Sequence, residues 1–172
     1  MSQGSTDIDP LTGVWNRRRL LADLTEAFVQ RRPATLVMFD LDNFKHFNLH
    51  NGHLTGDEVL RAVPRVIASV LGAGDVVYRY AGQRFAATMP GSDMRAAAAR
   101  AEQIRAEIER TLAPPQLEHC GDRDCLGPVR PLTVSIAVVP PGGTVEETIA
   151  LALETIHRAK LEGRNRVCLA AS

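Results

Sequence analysis

Tyr80-Ala81-Gly82-Gln83-Arg84-Phe85 sits between two apolar stretches of strand length, residues 76–80 and 85–89. Gly82 occupies the turn, so the segment predicts a β-hairpin. A hairpin alone carries no function, and its surroundings decide the reading. Upstream stand Asp40-Leu41-Asp42-Asn43-Phe44-Lys45, then Asn48, Gly52-His53 and Gly56-Asp57. Downstream stand Thr133-Val134-Ser135-Ile136 and Lys160-Leu161-Glu162-Gly163-Arg164-Asn165.

The elements around the hairpin follow from periodicity and capping chemistry. Residues 1–8 are polar and read as a frayed, disordered segment, with one ordered domain over 9–172. Asn16 can cap a helix that shows Leu20, Leu21, Leu24, Ala27 and Phe28 on one face, ended by Arg31-Arg32-Pro33. Residues 34–39 are a continuous apolar run, which suits a central strand covered on both faces. Residues 40–51 read as a polar connection with one helical turn near 44–48. A longer helix follows over about 55–71, with a kink expected at Pro64. Ser92 can cap the next helix, and Pro114-Pro115 stops it. Residues 132–139 read as a strand. Thr144 with Glu147 forms a capping box for a helix through Lys160, and 166–170 reads as a last strand. This order predicts an α/β (α+β) domain: a central mixed β-sheet flanked by helices, with a βαββαβ core and an extra C-terminal helix and strand.

Composition narrows the function classes. A chain of 172 residues with 45% hydrophobic and 23% charged residues fits one globular domain. Basic and acidic residues balance at 20 each, so no global field favours nucleic acid or membrane, and an anionic ligand must be held by locally placed cations. No run is long and apolar enough for a span, and the first residues lack a signal pattern, so the cytoplasm is the expected location. Cys120 and Cys125, beside His119, Asp122 and Asp124, invite a zinc reading. However, four residues separate the two cysteines and no second pair exists, so a polar hairpin tip reads better. Cys168, in the last strand, reads as packed.

Taken in order, these motifs resemble the GGDEF family of diguanylate cyclases, which join two GTP molecules into cyclic di-GMP. The likeness covers nearly the whole chain, from Asp9 to Val167. It implies a palm-like sheet of the nucleotidyl-cyclase type and a place in cyclic di-GMP signalling. By that resemblance Asp40 ligates metal, and Asn48 and Asp57 read the guanine edge. Lys45, Lys160 and Arg164 bind the triphosphate, with the Phe44 backbone nearby. The chemistry is sensible, since a carboxylate accepts from the guanine N–H donors and an amide both donates and accepts. Singly, Asn48 could be a loop cap, Asp57 a first-turn acid, and Lys160 and Arg164 helix-end charges.

The family's hairpin would read Gly-Gly-Asp/Glu-Glu-Phe, and here it reads Ala81-Gly82-Gln83-Arg84-Phe85. Two acidic positions become an amide and a guanidinium, a swing from −2 to +1. Gln83 is a poor ligand for a hard dication and Arg84 repels one, so magnesium is expected only together with a bound nucleotide, if at all. Two readings of Gln83-Arg84 stay open: a solvated tip with no role, or Arg84 standing in for metal charge and holding a phosphodiester. The family's inhibitory product site uses Arg-x-x-Asp. Here Asp75 remains as a remnant, but the arginine position is Gly72. The expectation is a degenerate domain, weak or inactive as a cyclase, that binds cyclic di-GMP or GTP, with a ligand-bridged homodimer as one assembly. A residual cyclase and a protein-interaction module with a vestigial pocket are the rivals. His157 reads as a helix histidine in packing rather than a ligand.

Overall fold

The computed structural model describes residues 7–32, 34–112 and 132–171. The chain runs β1 (Trp15–Asn16), α1 (Arg17–Val29), β2 (Ala34–Leu41), α2 (Phe44–Val70), β3 (Val76–Ala81) and β4 (Arg84–Pro90). It continues through α3 (Met94–Thr111), β5 (Val134–Val139), α4 (Val145–Leu161) and β6 (Arg166–Leu169). The six strands form one mixed sheet in the order β1-β3-β4-β2-β5-β6. The predicted helices and strands all appear. The two-residue β1, too short to leave a sequence pattern, adds one edge by pairing parallel with β3.

β2 is the centre of the sheet. It pairs antiparallel with β4 on one side and with β5 on the other, and all eight of its residues are buried. Alternation along a strand sends its side chains to opposite faces. Val37, Phe39 and Leu41 join the core against α2 and α3, with Leu60, Ile67, Ile104 and Ile108. Leu36 and Met38 join the other face against α1 and α4, with Leu20, Leu24, Ala152 and Ile156. Asp40 continues that second face to its upper end.

Several local expectations need correction. Asp7 and Ile8 are ordered: Asn16 N donates to Asp7 O at 2.7 Å, and Ile8 bridges to Trp15. Residues 1–6 lie outside the described residues, as do Pro33, Pro114-Pro115 and the cysteine-bearing segment with His119, Cys120 and Cys125. The interruption in α2 falls at Gly52 (φ 81°, ψ 157°), whereas Pro64 keeps helical dihedrals. A left-handed φ suits glycine and ends one helix before the next begins. α3 is capped by Asp93, which accepts from Ala96 N at 2.7 Å. Ser92, the expected cap, instead accepts from Thr35 through its carbonyl and from Arg100 through its hydroxyl. Phe28 is exposed rather than on the core face, and His157 is exposed rather than packed. Asn16 caps α1 and the Thr144–Glu147 capping box forms as expected. Cys168 is buried, and burial pushes its thiol pKa up, with the nearby Glu162 carboxylate adding to the shift.

Candidate functional site

The site begins with strand register. Asp40 lies directly opposite Arg84 on β4 and Ser135 on β5. Directly opposed residues on one face of an antiparallel pair are close enough for side chains to meet. Arg84 accordingly donates to Asp40 Oδ2 twice, from Nε at 2.8 Å and Nη2 at 2.6 Å. Lys160, in the last turn of α4, reaches the other oxygen, Oδ1, at 2.7 Å. Gln83 Nε2 stands 3.5 Å from the same oxygen. The Asp40 side chain is 1% exposed, with Arg84 at 31% and Lys160 at 26%. One buried carboxylate is thus held between two partly exposed cations. Both carboxylate oxygens carry charge-assisted bonds, the stronger class of hydrogen bond.

The hairpin that presents Arg84 is braced from two sides. Gln83 O accepts from Leu41 N at 3.3 Å, tying the turn to the end of β2. Arg79 donates through Nε to Gly82 O at 3.0 Å and through Nη1 to Asp9 Oδ1 at 2.9 Å. Burial opposes ionisation of Asp9, but donors from Thr12 and Arg79 prevail and hold its carboxyl below the usual range. Pairing shifts between Arg79 and Ala81, and Gly82 takes φ 55° at the turn. Ala81 and Gly82 are exposed, and Phe85 is buried in the core.

A second group lies along α2. The Phe44 ring is buried and stacks on Phe47 at 6.0 Å, which anchors the helix start. Lys45, next to it, is exposed. Asn48 and Asp57 are half-buried. A Cβ added at Gly56 would fall 2.0 Å from Asn48 Oδ1, so only glycine leaves that amide its place. Asn48 Oδ1 is buried and has no hydrogen-bond partner. Such an orphaned acceptor costs roughly 1–3 kcal/mol, and a ligand donor would recover that.

A third group closes the site at Asp42. Its carboxylate accepts from Thr133 Oγ1 at 2.8 Å, Ser135 Oγ at 2.7 Å and Asn165 N at 3.0 Å. Arg164 and Asn165 are both left-handed, at φ 64° and 45°, and Asn165 is gripped further by Arg105 and Glu109. That bracket fixes the turn carrying the exposed Arg164. Sequence reasoning gave Asp42 and Asn165 no role. The available signal was an acid two residues past Asp40, facing hydroxyls at 133 and 135.

Asp75 does not stand open as a ligand group. Arg100 Nη1 donates to its Oδ2 at 2.6 Å, and Gly72 N donates to the same oxygen at 2.8 Å. The structure therefore joins Asp40, Gln83, Arg84 and Lys160 directly, sets Asn48 against Gly56 beside Asp57, and takes Asp75 into a separate ion pair. Among the described residues, no group of three His, Cys, Asp or Glu side chains gathers as a metal ligand set. No described helix is long and apolar enough to cross a membrane.

The family model for the diguanylate cyclase GGDEF domain matches residues 6–166. The diguanylate cyclase VdcA of Vibrio cholerae is 34% identical over 161 residues, which are 92% of this chain and 45% of that protein. The crystal structure of the GGDEF domain of DgcB from Caulobacter crescentus, in complex with c-di-GMP, matches with a TM-score of 0.81 and 30% identity. The match covers 100% of this chain and 97% of that one. The diguanylate cyclase SiaD from Pseudomonas aeruginosa, solved with its activator SiaC, matches with a TM-score of 0.82 and 30% identity, over 96% of this chain and 62% of that one. The chain spans less than half the length of the curated relatives it matches. The chain belongs to the GGDEF family.

Proposed function

We propose that this GGDEF domain is a metal-independent guanine-nucleotide receptor, binding cyclic di-GMP or GTP in the remnant active-site groove without appreciable cyclisation. The observation that carries the reading is the Arg84–Asp40–Lys160 arrangement. Divalent cations need free, ionised oxygens, and both oxygens of Asp40 are already held by cationic side chains. A dication ~4 Å from one of those charges would meet roughly 8 kcal/mol of repulsion at an effective dielectric of 20. The residues present do not fit a magnesium site.

The groove keeps what a nucleotide needs. Arg84 spends Nε and Nη2 on Asp40 and retains the rest of a partly exposed guanidinium for a phosphate oxygen. Lys45 and Arg164 supply exposed positive charge. Asn48 offers an unused buried acceptor beside Asp57 for the N–H donors of guanine. A symmetric cyclic dinucleotide presents two guanines and can bridge two copies of the chain. Binding serves sensing or regulation within cyclic di-GMP signalling.

Calorimetry with cyclic di-GMP and with GTP, each in EDTA and in millimolar magnesium, tests this. The expected result is binding of at least one ligand with a dissociation constant that chelation leaves within about threefold. A strict magnesium requirement, or steady production of cyclic di-GMP from GTP on chromatography, overturns it in favour of a residual cyclase. No binding of either ligand points to an interaction module with a vestigial pocket.

A further inference from the structure

The first part of α2, residues 44–51, carries two histidines that nucleotide binding does not use. His46 and His50 are four positions apart, and both are exposed on one helix face. Their ring centroids lie 4.1 Å apart with the planes tilted by 39°. Nδ1 of His50 lies 2.9 Å from His46 O. A carbonyl oxygen only accepts, so Nδ1 carries the hydrogen of this bond, and in the neutral imidazole that leaves the lone pair on Nε2. A histidine that ligates a metal is commonly fixed in this manner, with its second nitrogen donating to a backbone carbonyl.

The spacing fits a shared ion. Two imidazole nitrogens bound to one zinc at ~2.0–2.1 Å each must lie within about 4.2 Å of each other. At a tetrahedral angle the two nitrogens would lie roughly 3.4 Å apart and the ring centroids roughly 5 Å apart. The rings, now at 4.1 Å, must therefore swing apart by about an ångström through χ1 and χ2, which their exposure permits. Imidazole suits zinc, copper and nickel rather than magnesium or calcium. No set of three ligating side chains forms among the described residues, so water would have to complete the coordination of an ion held by this pair.

The helical segment also gives such an ion something to do. Asn43, at its N-terminus, is left-handed (φ 53°) and makes no side-chain cap bond, and Gly52 ends the segment. A helix of two turns is marginal alone, and a cross-link between i and i+4 stiffens it. Lys45 and Asn48 lie on that segment.

We propose that His46 and His50 form a two-imidazole site for a divalent transition cation of the zinc, nickel and copper class, and that occupancy stiffens the turn bearing Lys45 and Asn48. The test uses nickel chloride against the untagged full chain at pH 7.5. The C120S/C125S background removes thiols that would compete for the metal. Calorimetry should show one site, weakened at least tenfold by H46A and by H50A and changed less than twofold by H53A or H157A. Hydrogen exchange at amides 47–51 should slow with nickel in the parent and not in H46A. No binding by the parent overturns the proposal. So does equal binding by H46A and H50A, with folding confirmed by an unchanged melting temperature, or exchange at 47–51 that ignores nickel. These readouts contain no nucleotide, so they stand or fall separately from the receptor function.

Discussion

Arg84→Ala removes the guanidinium that faces Asp40 across the β2–β4 pairing. Two charge-assisted bonds are lost at once, and they serve a carboxylate whose side chain is 1% exposed. Removing one partner of a buried pair commonly costs 3–5 kcal/mol, because the other charge stays behind. Two features reduce that figure here. Lys160 still holds Oδ1 at 2.7 Å. Arg84 is also 31% exposed, so water enters the space its side chain leaves. A loss of about 1.5–3 kcal/mol is the expected range for bonds to a charged group under these conditions. For a domain of this size 1 kcal/mol shifts the melting temperature by roughly 2–4 °C, so the variant should melt roughly 3–12 °C lower. Thermal unfolding followed by circular dichroism measures this, and calorimetry with cyclic di-GMP on the same sample should show at least tenfold weaker binding. If the variant melts within a degree of the parent and binds equally, Arg84 is a solvated turn residue and the metal-free reading of the cleft fails.

The double substitution Q83D/R84E places acids at both positions and takes the hairpin charge from +1 to −2. The variant should lose stability in EDTA and regain at least half of the loss in millimolar magnesium, whereas the parent should be indifferent; indifference in both sinks the charge argument. Gly56→Ala drives a Cβ to 2.0 Å from Asn48 Oδ1, so calorimetry should register at least a tenfold loss of nucleotide affinity with a melting shift of only a few degrees. Tyr78 gives a pH prediction: burial, together with its hydrogen bond to Asp23, pushes its phenol well above the ordinary range. The raised value means the folded form holds its proton longer. Its contribution is therefore intact below the unfolded pKa near 10 and is lost above it at about 1.4 kcal/mol per pH unit, which denaturant melts at pH 9, 10 and 11 will follow; a Tyr78→Phe variant should lack that slope.

How much could be read from sequence depended on the range of the interaction. The Asn16 cap and the Thr144–Glu147 box close within three residues, so residue type and spacing suffice. The apolar run of β2 marks a central strand because only a doubly covered strand tolerates it. Errors arose where two local candidates competed. Asp93 takes the cap while Ser92 is engaged by Thr35, 57 residues away in sequence, and by Arg100, two turns along α3. Gly52 rather than Pro64 interrupts α2, because a proline can keep helical dihedrals while a left-handed φ ends the helix outright. At the site, the change of charge in the hairpin was legible, but its destination was not. The pairing of Arg84 with Asp40 depends on the register of strands 44 residues apart in sequence. That register has a further consequence. Whatever side chain stands at 84 must settle its charge with Asp40, and two acids there would repel by ~4 kcal/mol at 4 Å unless a cation intervened. A bound ion can leave, whereas a guanidinium supplied by the chain is always present. The same opposition of strands that would poise acidic side chains for a divalent ion here sets Asp40 against a guanidinium supplied by the chain itself.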